Sequence, residues 1–330
     1  MSQNHIHPTF YLGIDVSKDF LDLDPDKIPS LQKLDNSSTG FAKLIRALQR
    51  LQKKGALPHV VLEATGGYER PLVLALHRHQ LCVSVLPPKR VKDFASAIGR
   101  PCKTDAIDAA VITRFAEAVR PEPSAPPSAV LVELADLVKR RNDLVASRVQ
   151  ELNRQKQYAS ASSLESIEKL LCFLDGQIEH LGQKLKDLVL SDPMLCAKFN
   201  VLTQIEGVGP LTAFGVLASM PELGRVSRQQ IASLAGLAPK NHDSGQFTGR
   251  RFIKGGRCEA RKALYMAAVC ARRFNPVLSP LYQHLVNAGK PPKLAITALM
   301  RRLLTHMNSK LREFLNSHSS HPPISSPQPA

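Results

Sequence analysis

The sequence predicts an α/β domain built on a mixed sheet, followed by a mainly helical second half. Three observations predict it. Short apolar runs rich in strand formers alternate with helix-period segments as far as residue 119. A proline-rich stretch then interrupts the chain. Beyond it the apolar residues fall mainly at helical spacing.

The first domain is expected over residues 8–120. Residues 9–16 (TFYLGIDV) read as a strand, with residues 20–24 as its hairpin partner across the polar turn 17–19. The acids and proline of LDLDPDKIPSL (21–31) leave the end of that second strand open. After residues 36–40, Phe41, Leu44, Ile45, Leu48 and Leu51 mark one helix face. HVVLEAT (59–65) is a buried-strand run, and a helix follows over about 68–79. CVSVLPP (82–88) is a further strand stopped by Pro87 and Pro88, and 89–98 is helical. Thr104 can cap a helix over 105–119. A hairpin first and a βαβ unit later make a mixed sheet with helices around it.

PEPSAPPSA (121–129) is the linker, with four prolines in nine residues, too stiff for a helix. Residues 130–198 predict a helical coiled-coil hairpin. Its second arm carries Leu171, Leu174, Ile178, Leu181, Leu185 and Leu188 in a 3-4 seam. Its first arm carries Leu134, Val138, Val145 and Leu152, interrupted by Arg141 and Arg148, with the turn at ASASS (159–163). The expected job of the hairpin is structural or dimer-forming. Residues 199–316 form a mainly helical C-terminal domain, and 317–330 (SHSSHPPISSPQPA) read as a disordered tail.

Composition narrows the partners. Of 330 residues, 43% are hydrophobic and 22% charged, which excludes a wholly disordered chain. No run of ~18 apolar residues offers a membrane-spanning helix. The N-terminus lacks a basic start followed by an apolar stretch, so nothing marks it for secretion. Six scattered cysteines without a CxxC pair argue against a disulfide framework or zinc site, and a reducing cytoplasm fits. Lys+Arg 44 against Asp+Glu 28 leaves a net +16, and residues 240–315 alone carry 15 against 3, a net +12. A field of that density suits a polyanion, most often nucleic acid. With 5% aromatics and no Trp, a base-stacking platform is disfavoured, so binding leans on salt-sensitive phosphate contacts.

Acids stand where a buried strand rarely tolerates them. Asp15 closes an apolar run, Glu63 sits inside VVLEAT, and Asp105 and Asp108 share a face at a helix start. A lone strand-end Asp is usually a turn former, and an acidic pair at a helix start is usually favourable electrostatics. The order strand-Asp, strand-Glu, helix-DxxD is the layout of ribonuclease-H-like nucleases. Clustered carboxylates imply a compensating cation, and hard divalent ions such as Mg2+ take oxygen ligands of this kind. In the second half, Gly207 and Gly209 of IEGVGPLTA permit either a phosphate-facing helix-hairpin-helix turn or a plain connector. Ser244 precedes Gly245 in a polar loop followed by Arg250, Arg251, Lys254, Arg257, Arg261 and Lys262. A serine before glycine is usually only a turn. This cationic bed can instead neutralise charge on a scissile phosphate. Tyr68, Lys103 and Arg114 are further contacts for a substrate, with packing roles equally open.

GIDVSKDF (13–20), LEATGGYERPL (62–72) and KTDAIDA (103–109) resemble the RuvC-like domain of the DEDD insertion-sequence transposases of the IS110 family. IEGVGPLTA (205–213), LAGLAPKNHDSG (234–245) and GRRFIKGGRCEARKALYMAA (249–268) are similar to that family's second domain. The resemblance covers roughly residues 8–315. It implies a Mg2+-binding tetrad of Asp15, Glu63, Asp105 and Asp108, and Ser244 as a nucleophile that joins covalently to donor and target DNA. It also implies an element-encoded guide RNA, a dimer-built tetramer with a composite site, and a bacterial, nucleoid-associated location. Two other readings stay open. One is a junction nuclease that uses only the carboxylates. The other is a nucleic-acid-binding protein whose catalysis has lapsed.

Overall fold

The computed structural model describes residues 9–99, 105–126, 128–240 and 251–319, except the side chains of 105–107, 240 and 319. The chain divides into two units, Met1–Pro127 and Ser128–Ala330.

The first unit is a mixed five-stranded sheet in the order β3-β2-β1-β4-β5. The strands are β1 (Phe10–Val16), β2 (Phe20–Leu23), β3 (Lys33–Asp35), β4 (Pro58–Glu63) and β5 (Cys82–Leu86). β1, β2 and β3 form an antiparallel meander, while β4 and β5 run parallel to β1. Alternation sends Leu12, Ile14 and Val16, with Val60 and Leu62, into a core with helices α1 (Ser38–Lys53) and α2 (Arg70–Arg78). The opposite face buries Tyr11 and Val61 beneath α3 (Pro88–Ala97) and α4 (Asp105–Val119).

The sequence expectation omits β3, whose three residues KLD hold one apolar side chain and so carry no readable alternation. Pro87 and Pro88 do end β5, but Pro88 is also the first residue of α3, where its missing N–H has no helical partner to lose. Residues 121–126 are irregular, and Ser124 N donates to Val83 O (2.8 Å) on the sheet's edge strand.

The second unit opens with α5 (Ala129–Gln155) and α6 (Ala161–Ser191), which pack on one another. Leu134 and Leu144 are buried on α5, and Ile167, Leu174, Leu185 and Val189 on α6. Arg148 does not merely interrupt the seam, since its guanidinium reaches across to Asp175 (Nη2 to Oδ2, 3.2 Å). The helices α7 (Pro193–Thr203), α8 (Pro210–Ser219), α9 (Arg228–Leu234), α10 (Cys258–Phe274), α11 (Leu278–Asn287) and α12 (Pro292–Ser319) close over one core. Between α9 and α10 lies a two-stranded antiparallel ribbon, β6 (Pro239–Lys240) and β7 (Phe252–Ile253). The expected tail starts too early. Residues 317 and 318 continue α12, where the Ser317 hydroxyl donates to Phe314 O and the His318 ring packs on Phe314 at 4.0 Å.

Candidate functional site: a carboxylate row on the sheet

The sheet register gathers acids that the sequence keeps apart. The β1–β4 pairing of Ile14 with Leu62 carries Asp15 and Glu63 to neighbouring positions one residue on, at the carboxyl ends of parallel strands. Such ends are where open α/β sheets bind ligands. Both point to the face covered by α4, opposite Ile14 and Leu62. On the other side, Asp22 of β2 pairs in register with Asp15, and Lys33 of β3 with Asp22. One row across the sheet therefore reads Lys33, Asp22, Asp15, Glu63. Lys33 Nζ lies 3.6 Å from Asp22 and answers that charge locally.

Asp108 arrives on α4. The helix approaches β1 closely because residue 13 is glycine: a Cβ there would meet Ala109 O at 2.3 Å. The contact is fixed by Gly13 N donating to Thr113 Oγ1 at 2.8 Å. Gly13 and Asp15 share a strand face, and Asp108 adjoins Ala109, so the close approach delivers the third acid. Glu63 registers the result. Burial first, then repulsion from Asp15 and Asp108, pushes its carboxyl above the usual range. Asp108 Oδ1 is buried without a hydrogen-bond partner.

Two residues missed by the sequence reading brace this patch. Glu69 is buried, and its Oε2 accepts from Gly67 N (2.9 Å), Thr65 Oγ1 (2.9 Å) and Thr65 N (3.2 Å). Burial would raise its carboxyl, but these donors together with its own backbone N–H hold it below the ordinary range. It thus shapes the ATGG loop that leaves β4 directly after Glu63. Asn36 Nδ2 donates to Ser17 O (2.8 Å), two residues past Asp15, and to Tyr68 O (3.2 Å), tying the two post-strand loops together. A carboxylate four residues after Thr65 at a helix start was the readable signal for Glu69. Asn36 offered none.

The donors suit a divalent cation: three carboxylates on one patch, mutually repelling, one with an orphaned oxygen. Among the described residues no three acid, His or Cys side chains are already drawn into a metal-holding cluster, and the Asp105 side chain lies outside them. Tyr68 is half exposed and Arg114 exposed on α4, while Lys103 lies outside the described residues.

In the second unit, Ser244 and Arg250 fall outside the described residues, between β6 and β7. The base of that ribbon is tightly built. A Cβ on Gly236 would meet Gly255 O at 2.0 Å, and one on Gly256 would meet Gly236 N at 2.1 Å. Arg261 bridges the same turns by donating to Ala235 O (3.0 Å) and Gly255 O. Arg257 forks onto Glu222 through two 2.6 Å bonds and also donates to Ser219 O, and Lys262 pairs with Glu259 at 2.8 Å. Arg257 and Arg261 are engaged by the fold, Lys262 makes only a surface pair along its helix, and Arg251 and Lys254 are exposed. Gly207 has φ +91° and packs on α10, where a Cβ would meet Ala271 Cβ at 2.9 Å. Gly209 caps α8 and borders open space.

By fold and site, the chain is a carboxylate-bearing mixed α/β unit joined to a basic helical one. The DEDD transposase model of the IS110 type matches residues 12–160, and the transposase model of the IS116/IS110/IS902 family matches residues 199–283. The pilin gene-inverting proteins of Moraxella bovis and Moraxella lacunata are each 28% identical over 310 residues, covering 92% of this chain and 96% of theirs. The IS900 insertion element's uncharacterized 42 kDa protein of Mycobacterium paratuberculosis is 24% identical, covering 87% and 90%. The chain belongs to the IS110 family of insertion-sequence transposases. Among the described residues no helix is long and apolar enough to cross a membrane.

Proposed function

We propose that this chain is a DNA recombinase of an insertion sequence that cuts and rejoins strands through a phosphoserine at Ser244, with a RuvC-like, ribonuclease-H-like domain supplying the carboxylates. The observation that carries the reading is the row holding Asp15 and Glu63 side by side, with Asp108 brought over them by α4. Asp15, Glu63, Asp105 and Asp108 would hold Mg2+. When bound, it supplies positive charge to the phosphate undergoing transfer.

The remaining chemistry is an exchange of esters. The Ser244 Oγ–P bond forms as one P–O bond of the DNA strand breaks, and the serine proton passes to the departing oxygen. A strand-end hydroxyl later attacks the phosphoserine, restoring a phosphodiester and the serine hydroxyl. One ester replaces another, so no external energy source is needed. Arg251 and Lys254, exposed after the Ser244 segment, neutralise the backbone that enters. Relatives named for inverting a pilin gene agree with cutting and rejoining DNA. We read an element-encoded RNA as the guide and a dimer-built tetramer as the assembly, since no base-reading motif is evident and such contacts position without specifying.

The test is to trap a covalent protein–DNA adduct. Protein, Mg2+, supercoiled DNA with the element's ends and RNA from the flanking segment are incubated and resolved on denaturing gels. An adduct lost in Ser244→Ala and in Asp108→Ala, and dependent on the RNA, is expected. Nicking without adduct, unaffected by Ser244→Ala, would replace this mechanism with a carboxylate-only nuclease. Binding without cleavage in every mixture would favour a lapsed enzyme.

A further inference from the structure

A second cationic feature lies in the helical unit, outside the segment around Ser244. A cleft of about 220 Å³ opens between α9, the start of α11 and α12, lined by Arg228, Asn275, Arg302, Thr305, His306 and Ser309. Arg302, His306 and Ser309 recur at i, i+4 and i+7, so one face of α12 forms its floor. Arg228 and Arg302 are exposed, and neither guanidinium has a hydrogen-bond or ion-pair partner among the described residues. Among the described residues no carboxylate lines the cleft. The acid acting on His306 is Glu313, itself paired with Lys310 at 3.3 Å, and burial with Lys310 and Arg302 keeps the imidazole below its usual pKa.

The wall is rigid. Asn275 is buried, its Nδ2 donates to Glu206 O (2.9 Å), and its Oδ1 accepts from Val277 N (3.0 Å) and Leu278 N (2.9 Å). One side chain thus fastens the start of α11 to the 205–209 turn. The Thr305 and Ser309 hydroxyls donate back to their own helix, to Arg302 O and Thr305 O. What faces the cleft as donors is two guanidinium groups and an imidazole. Paired planar forks are suited to phosphate oxygens. The volume is below the ~300 Å³ of a small-molecule pocket, but it admits one phosphate of a strand running across the opening.

We propose that this cleft is a subsite for a backbone phosphate of a nucleic-acid strand, gripped by Arg228 and Arg302. The proposal rests on the reading of the chain as a nucleic-acid-processing protein. It adds an anchor distinct from the cations that follow Ser244.

The experiment measures binding of full-length protein to a ~30-base-pair DNA duplex and to single-stranded RNA of equal length across a salt series. Arg228→Gln/Arg302→Gln is compared with Lys184→Gln/Lys186→Gln, which removes the same charge from exposed positions on α6. Losing the grip on that one phosphate makes the slope of log affinity against log salt shallower by about 1 and weakens binding roughly ten-fold, while the α6 pair keeps the wild-type slope. Phenylglyoxal modification of wild-type protein, mapped by mass spectrometry, gives a measurement independent of variant folding. Protection of Arg228 and Arg302 by duplex or by RNA supports the subsite, and the better protector names the strand. Equal protection by inorganic phosphate at the same phosphate concentration overturns it in favour of a free-anion site. A wild-type slope in the arginine variant, or no protection, also overturns it while wild-type binding leaves the functional reading standing. Wild-type protein that binds neither strand overturns both.

Discussion

His59 is completely buried, with Nε2 2.8 Å from Ser84 Oγ, and that hydroxyl donates onward to Glu122 O at 2.7 Å. Because the Ser84 proton is committed, His59 must donate from Nε2, which fixes the neutral tautomer and leaves buried Nδ1 without a partner. Burial lowers its pKa from 6.5 to about 4. An imidazole depressed in the folded state favours folding fully above the unfolded pKa. That contribution is lost as pH falls from 6.5 towards 4, by up to about 3 kcal/mol. Urea midpoints at pH 7, 5.5 and 4.5 are expected to fall more steeply for wild type than for His59→Gln, whose amide can still donate to Ser84. Equal slopes would show that His59 already charges in the native state. His77 and His306 are also lowered and are common to both proteins, so the difference isolates His59. Glu63 makes the opposite case at neutral pH: an ionised carboxylate beside Asp15 and Asp108 weakens the fold. Glu63→Gln is expected to raise the melting temperature without divalent cation and to blunt the rise that millimolar Mg2+ produces. At about 4 °C per kcal/mol, differential scanning fluorimetry resolves both changes.

At the scale of elements, the packing of α4 on β1 is the joint that assembles the acids. Thr113→Val keeps the shape but removes the acceptor of Gly13 N–H, leaving a buried donor unpaired at about 1–3 kcal/mol. Gly13→Ala drives a methyl into the Ala109 carbonyl and is expected to destabilise more and to abolish cleavage. Glu69→Gln tests the loop after β4. Weakening the three bonds that shape it is expected to lower divalent-cation affinity ~10-fold or more, read by calorimetry, with only about 1 kcal/mol lost in stability. Unchanged affinity with the same stability loss would reduce Glu69 to loop packing. These joints also show what the sequence could reveal. Asp15 and Glu63 were legible as candidates because acids in apolar strand runs violate the burial pattern, and Asp108 because it shares a helix-start face with Asp105. Asp22 and Asn36 acquire roles only through register and loop closure, which no local pattern encodes, whereas Glu69 carried one local signal, its spacing from Thr65 at a helix start. The hairpin and the βαβ unit were legible from apolar runs. β3, β6 and β7 were not, because two or three residues cannot display a period.

At the scale of the whole molecule, the division after residue 127 poses the central question of mechanism. The carboxylates lie in one unit and Ser244 in the sequence of the other, so the mechanism we propose requires the two to meet, within a chain or between chains. Mixing two inactive variants separates these routes. In a hetero-oligomer of Asp108→Ala and Ser244→Ala chains, sites assembled within one chain each keep a defect, and no adduct forms. If each site joins carboxylates of one protomer to the serine of another, one arrangement combines two damaged halves and the other two intact ones. Co-expressed or refolded mixtures are then expected to recover the DNA adduct at up to roughly half the level of each wild-type pair, carried only by the Asp108→Ala chain. Differently sized tags on the two variants identify that chain on a denaturing gel. Recovery on the Ser244→Ala chain contradicts Ser244 as nucleophile. No recovery in mixtures shown to contain hetero-oligomers assigns the site to a single chain, with the linker and helical hairpin then serving to bring one chain's own units together.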